Sequence, residues 1–187
     1  MKKIVIFASG NGSNAEKIIL HFKDHPLARV VALFCNRPEA FVLQRAAKLN
    51  VQSVLFTKEE FYENNTVIDL LKDINPDLIV LAGFLWLIPH SLIDEYQGRI
   101  VNLHPALLPK YGGKGMYGDR VHKAVIEAKE KESGISIHHV NGRFDEGEII
   151  FQAHCAIDEK DTHETLAEKI HALEHLHFPR IIESLIR

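Results

Sequence analysis

Two polar side chains, Asn102 and His104, form the pair in this sequence that is best suited to chemistry. They lie two residues apart in a short apolar segment, residues 99–103, which stops at Pro105. Residues two apart on a strand point to the same face, so an amide and an imidazole would share one space. Asn can donate a hydrogen bond to an oxygen that gains charge, and His can transfer a proton near neutral pH. The pair suits attack on a carbonyl carbon, although a turn-closing Asn and a His satisfied by its neighbours is the alternative.

Asp145 is a third candidate. Residues 141–147 join two predicted strands, residues 135–140 and 148–153, and such a short connection permits only antiparallel pairing. This hairpin allows Asp145 to face His104, where a carboxylate would raise the pKa of the imidazole and stabilise its charged form. A plain turn residue is the alternative interpretation.

A glycine-rich turn follows the first apolar segment, residues 4–8, and contains Gly12, Ser13 and Asn14. A tight turn that leads into a helix N-terminus offers backbone N–H donors to an anion, so the turn predicts a phosphate site. Ser13 or Asn14 is also expected to cap the helix. The turn is not a full dinucleotide fingerprint, because Ala15 replaces the third glycine and no acid ends the second strand. A plain tight turn is again the alternative.

Short apolar strands that alternate with amphipathic helices predict the architecture. The predicted strands include residues 4–8, 30–35, 51–56, 78–82 and 99–103, and the predicted helices include residues 40–49, 66–74, 91–96, 119–131 and 166–187. This alternation favours an α/β fold, namely a Rossmann-like, open, mostly parallel sheet with helices on both faces and a C-terminal antiparallel hairpin. We expect one domain, residues 1–187, with a phosphate-binding half at 1–100 and a catalytic half at 101–187.

Four segments carry more local expectations. The polar residues 57–65 are predicted to form a cap or a loop, and Asp161 with Thr162 is predicted to cap the last helix, which Pro179 should kink or split. The apolar residues 84–88 favour either core packing beneath a loop or a pocket wall for a flat, largely apolar ligand. Residues 110–118 are glycine-rich and indicate either a lid over the site or a flexible connector.

Composition excludes several functional classes. The chain has 187 residues and a net charge of −3, which gives no sign of a nucleic-acid-binding surface. No apolar run approaches the roughly 18 residues of a membrane span, so we expect no membrane partner and a cytoplasmic location.

Cys35 and Cys155 lie in separate apolar runs and are expected to be free, buried thiols. His171 and His175 have metal-ligand spacing on a helix, but they do not form a His-Glu-x-x-His motif, and no metal site is predicted.

Five motifs in order resemble the phosphoribosylglycinamide formyltransferase family of folate-dependent enzymes, over nearly the whole chain. They are Gly10-x-Gly12-Ser13-Asn14, Leu81-Ala82-Gly83-Phe84, Asn102-Leu103-His104-Pro105-x-Leu107-Leu108-Pro109, Asp145-x-Gly147-x-Ile149-Ile150 and Glu174-His175-x-x-Phe178-Pro179. The resemblance implies transfer of a formyl group from 10-formyltetrahydrofolate, as co-substrate, to the amine of 5′-phosphoribosylglycinamide, without a metal. Trp86 stands where this family commonly has Arg.

The resemblance also implies residue roles. Asn102, His104 and Asp145 would be catalytic, and the Leu108–Pro109 bond would be cis. The phosphate and ribose would be held by Gly12, Ser13, Asn14, His171, Ala172, Leu173 and Glu174. The folate would contact Lys58, Leu85, Trp86, Leu87, Ile88, Asn102, Asn141, Gly142, Arg143, Phe144 and Asp145, with the second half of the chain supplying most of that pocket.

Other functions stay open at this point. A related folate formyltransferase, a formyltetrahydrofolate hydrolase and a non-catalytic phosphate-binding α/β protein would each use some of these motifs. Small-molecule substrates are expected rather than nucleic acid, and the chain is expected to be a monomer or a weak homodimer.

Overall fold

The computed structural model describes residues 1–187 and contains seven strands and seven helices. The strands are β1 (Lys2–Ala8), β2 (Ala28–Cys35), β3 (Gln52–Leu55), β4 (Leu78–Leu81), β5 (Ile100–His104), β6 (Glu132–His139) and β7 (Ile149–Ala156). The helices are α1 (Ser13–His21), α2 (Val42–Lys48), α3 (Lys58–Tyr62), α4 (Thr66–Ile74), α5 (His90–Glu95), α6 (Asp119–Glu127) and α7 (His163–Leu185).

All seven strands join one sheet in the order β3-β2-β1-β4-β5-β6-β7. The first five strands are parallel, whereas β6 pairs antiparallel with β5 and β7 pairs antiparallel with β6. The strand order reverses between β1 and β4, and ligands of open α/β sheets bind at the carboxyl ends beside such a reversal. The predicted fold class, including the C-terminal antiparallel hairpin, is confirmed.

Alternating residues of β1 build two separate cores, one on each face of the sheet. Ile4 and Ile6 pack with residues of α1, α2, α6 and α7, and Val5 and Phe7 pack with residues of α3, α4 and α5. All four of these side chains are fully buried, which explains the continuous apolar run that a central parallel strand requires.

Three local predictions differ from the structure. The polar segment 57–65 contains a short helix, α3, because Thr57 and Glu60 form a reciprocal capping box at its start. Helix α7 is continuous through Pro179, so of the two predicted outcomes, a kink or a split, the split is wrong. Proline removes only one backbone N–H, and buried Phe178 and Pro179 hold that turn of the helix against the core. Helix α6 ends at Glu127 rather than at residue 131.

Both cysteines are free as predicted, but Cys155 is only half-buried. Of all the helices, none combines the length and the apolar character that crossing a lipid bilayer demands.

The N-terminus of α7 offers a test of local stability, since this helix carries His171 and Glu174. Thr162 caps it: its hydroxyl accepts from the Thr165 N–H at 3.4 Å, and its own N–H donates to Thr165 Oγ1 at 2.9 Å. We expect Thr162→Ala to lower the free energy of unfolding in urea by about 1 kcal/mol. Thr162→Ser keeps the hydroxyl and should lose much less; equal losses in both variants would contradict a capping role.

Candidate active site

A cavity of about 630 Å³ opens at the carboxyl ends of β1, β4 and β5. Its wall includes the glycine-rich turn after β1, the apolar segment after β4, and Asn102 and His104 on β5. The loop at 113–118 and the connection between β6 and β7 also line it. The predicted anion turn and the predicted carbonyl-directed pair therefore share one space.

His104 is buried and its ring is held in one orientation. Its Nε2 lies 2.8 Å from the backbone carbonyl oxygen of Tyr111, so Nε2 carries the proton and donates it there. The other nitrogen, Nδ1, then lies 3.4 Å from Asp145 Oδ2. The predicted proximity of Asp145 and His104 is present, and Nδ1 is the ring atom left for chemistry.

Asn102 lies beside this pair, and His138 holds its amide. Asn102 Nδ2 donates to Asp145 Oδ1 at 3.3 Å and to His138 Nε2 at 3.1 Å. His138 can accept there because its Nδ1 donates to the His139 carbonyl oxygen at 2.8 Å. The sequence reading missed His138, because only the β5–β6 register, which sets Asn102 opposite His138, brings them together.

The acid–base state of His104 differs from the expectation. Burial lowers the pKa of His104 below its ordinary value of 6.5; the charge of Asp145 and the hydrogen bond to Tyr111 oppose this but do not outweigh it. The prediction that Asp145 would give His104 a raised pKa is therefore wrong in its net direction, since it left out the cost of burying the charged ring. The ligand-free ring is neutral near pH 7, with its lone pair on Nδ1.

Asp145 keeps its charge despite its burial. Burial alone would raise the pKa of this carboxyl, but the protonated forms of His138 and His104 and the backbone N–H of Gly113 hold it below its ordinary value. The Gly113 N–H lies 3.0 Å from Asp145 Oδ2. A Cβ at Gly112 would lie 2.6 Å from Leu108 Cδ2 and 3.2 Å from Asp145 Cβ, so any larger residue there would displace these side chains.

The glycine-rich turn has the open donors expected of an anion site. Gly12 is the N-cap of α1, with φ 77°, and a Cβ there would lie 2.9 Å from the Val42 backbone. No side chain caps this helix, so the expectation that Ser13 or Asn14 would do so is wrong. The first-turn N–H groups, which have no partners within a helix, stay available to a ligand.

Asn14 instead bridges the turn to α7, where its Nδ2 donates to Glu174 Oε2 at 2.9 Å. Glu174 is buried, and burial raises the pKa of its carboxyl, although the Asn14 bond and the charge of His171 oppose this. His171 and Glu174 both line the cavity, whereas Ala172 and Leu173 do not.

Most of the residues expected to contact the folate line the cavity, and two do not. The cavity wall includes Leu85, Trp86, Leu87, Ile88, Asn141, Arg143, Phe144 and Asp145. Gly142 does not line it, and exposed Lys58 at the start of α3 does not line it either. Trp86 also packs on Phe56 and Phe61, with ring centroids 6.0 and 5.9 Å apart, so the segment after β4 is both core and cavity wall.

An amide, a neutral imidazole and a carboxylate at a sheet edge, beside an anion-binding turn, define a site for acyl-group chemistry on a phosphorylated substrate. A family sequence profile described as "Formyl transferase" matches residues 2–182. The chain belongs to the formyl transferase family.

One sequence relative and two solved structures are similar to this chain over nearly its whole length. The chain is 38% identical to the phosphoribosylglycinamide formyltransferase of Bacillus subtilis, covering 100% of this chain and 95% of that protein. It also resembles the crystal structure of glycinamide ribonucleotide transformylase 1 from Geobacillus kaustophilus, with a TM-score of 0.89, 35% identity and full coverage of both chains. The phosphoribosylglycinamide formyltransferase structure from Bacillus halodurans gives a TM-score of 0.88 at 36% identity, covering 99% of this chain and 95% of that one.

One further histidine, His122 on α6, lines the cavity and gives a pH test of the structure. Burial lowers the pKa of His122 from 6.5 to about 4, with smaller effects from His171, Asp119, His163 and His104. In the unfolded chain His122 is therefore protonated as the pH falls through about 6.5, whereas in the folded protein it stays neutral down to about pH 4. Stability that depends on neutral His122 is present above pH 6.5 and is lost as the pH falls through this window.

We expect His122→Phe, which cannot titrate, to lose less stability than the wild type between pH 7 and pH 4.5. Urea unfolding at each pH measures the difference between the two proteins, which cancels the titration of the other histidines. A constant difference across this range would contradict a neutral, buried His122.

Proposed function

We propose that this protein transfers the formyl group of 10-formyltetrahydrofolate to the amine of 5′-phosphoribosylglycinamide, a step of purine biosynthesis. One observation carries the proposal: a single cavity joins the anion-binding turn at Gly12 to the cluster of Asn102, His104 and Asp145. A phosphorylated amine and a formyl donor can therefore meet at the carboxyl end of β5. The names of the similar proteins support the same reaction.

The orientation of the substrates follows from the two ends of the cavity. The acceptor's phosphate would bind at Gly12, Ser13 and Asn14, and its ribose would lie beside Glu174. The pterin of the folate would lie between the apolar wall formed by residues 85–88 and the connection at residues 141–145. The formyl carbon then lies beside Asn102 and His104, where the amine can reach it.

The chemistry is a nucleophilic substitution at the formyl carbon. The amine nitrogen bonds to that carbon, and the carbonyl oxygen becomes an oxyanion. The Asn102 Nδ2–H that bonds Asp145 Oδ1 at the longer distance, 3.3 Å, turns to this oxyanion and stabilises it. The lone pair on His104 Nδ1 accepts the proton that the amine loses, and Asp145 stabilises the resulting imidazolium. When the bond from carbon to folate N10 breaks, His104 returns that proton to N10, so the products are the formamide and tetrahydrofolate.

The lowered pKa of His104 fits this sequence of steps. A ring that was already protonated could not take a proton from the amine. The developing negative charge then favours the imidazolium only after attack has begun, because an opposite charge nearby stabilises the protonated ring.

We expect His104→Ala and Asn102→Ala to lower turnover by roughly two orders of magnitude each. The assay follows the absorbance of 10-formyl-5,8-dideazafolate, a stable donor analogue, with and without glycinamide ribonucleotide. His154→Ala, on the exposed face of β7 and outside the cavity, is the matched control and should keep wild-type activity. Formyl loss without the ribonucleotide would indicate a hydrolase instead, and no turnover in the wild type would reject the proposal.

His138 should act as a positioning residue that holds the Asn102 amide. We expect His138→Leu to lower kcat by about tenfold, because the loss of one acceptor releases the Asn102 amide from its orientation, while KM for both substrates changes little. His138→Gln offers an acceptor oxygen to the same N–H and should recover part of the loss. A change confined to KM, or no recovery with Gln in a variant of normal stability, would contradict this role.

A further inference from the structure

His122 is a buried polar side chain that faces the cavity and has no part in the chemistry above. It lies in the first turns of α6, directly after the glycine-rich loop, and is only 3% exposed. Its Nδ1 is sealed from solvent and has no hydrogen-bond partner. Buried polar atoms normally have partners, so an unpartnered imidazole in a cavity wall calls for a functional explanation.

The surroundings of the ring determine which nitrogen carries its proton. An N–H enclosed without an acceptor is rarer in proteins than an enclosed lone pair, so the neutral ring places its proton on Nε2. Nε2 has no partner within the protein but is not sealed from solvent as Nδ1 is, and the residue lines the cavity. His122 therefore presents one uncharged N–H donor to whatever occupies this part of the cavity.

The position of His122 indicates which part of the acceptor it faces. Among the groups whose charges act on its ring are His104 on β5 and His171 on α7. His104 lies at the formyl end of the cavity, and His171 lies one turn from Glu174, beside the turn for the phosphate. An acceptor that spans these two ends places its middle, the glycyl amide, opposite His122.

An uncharged donor suits that place for an electrostatic reason. A cation next to the acceptor's amine would repel its protonated form and weaken binding, and a carboxylate would stabilise the protonated, unreactive form. A neutral N–H fixes the neighbouring amide oxygen without either effect.

We propose that His122 Nε2–H donates a hydrogen bond to the glycyl amide oxygen of the acceptor and thereby orients its amine towards the formyl carbon. This inference rests on the proposed function, since it assumes that glycinamide ribonucleotide is the acceptor. It assigns to α6 a specificity-determining residue for the part of the acceptor between ribose and amine.

Calorimetric titration tests the contact directly in the full-length protein. His122→Phe keeps a ring of similar size but has no donor, and we expect it to bind glycinamide ribonucleotide about tenfold more weakly than the wild type. Ribose 5-phosphate lacks the glycyl amide and should bind both proteins equally. His122→Gln, which can place an N–H near the position of Nε2, should bind the ribonucleotide within about threefold of the wild type.

Steady-state kinetics separates this contact from a structural role. In His122→Phe, KM for the ribonucleotide should rise while KM for the formyl donor stays unchanged, and stability at pH 7 should not fall, because the variant buries no unpaired nitrogen. Equal binding of the ribonucleotide by wild type and His122→Phe, or parallel losses for both substrates and for ribose 5-phosphate, would overturn the inference and leave the proposed function intact. No binding or turnover of the ribonucleotide by the wild type would reject the proposed function, and the inference with it.

Discussion

The rest of the site depends on the hydrogen bonds that hold the buried carboxylate of Asp145. It is buried and ionised, a combination that is costly unless hydrogen bonds and opposite charges compensate for the lost water. The compensation comes from two parts of the chain: the side-chain amide of Asn102 on β5 and the backbone N–H of Gly113 in the glycine-rich loop. The nearby rings of His104 and His138 add to it only when they are protonated. Removal of either donor would leave the buried charge partly unpaired, so the carboxylate fixes these two parts relative to one another.

The change of strand direction after β5 makes this arrangement possible. A parallel neighbour would reach the sheet only through a long crossover, whereas antiparallel β6 and β7 are joined by a short connection that places Asp145 against Asn102 and His104 of β5. The same pairing sets His138 opposite Asn102. The parallel half of the sheet supplies the anion-binding turn, and the antiparallel half supplies the acid and the second histidine.

Much of this could be predicted from the sequence because it depends on local patterns. Strand and helix alternation, the turn around Gly12 and the two-residue spacing of Asn102 and His104 are all visible in short windows of sequence. His138 and the bond from Asn14 to Glu174 depend on register and on contact between distant helices, which no local pattern contains. The predicted direction of the His104 pKa shift was wrong for a related reason. The sequence pattern indicates its charge partner, Asp145, but it does not indicate how deeply the His104 ring is buried.

Burial of the titratable groups gives the acceptor side of the cavity a common electrostatic character. His104 and His122 both have lowered pKa values and Glu174 has a raised one, each chiefly because of desolvation. All three shifts favour the uncharged form, whereas the pKa of Asp145 is lowered and its carboxylate keeps its charge. An amine nucleophile must lose its proton before it reacts, and it does so more readily where few fixed anions stabilise the ammonium form. The depth of the cavity thus serves the chemistry as well as the binding, because desolvation shifts each of these groups towards its uncharged form.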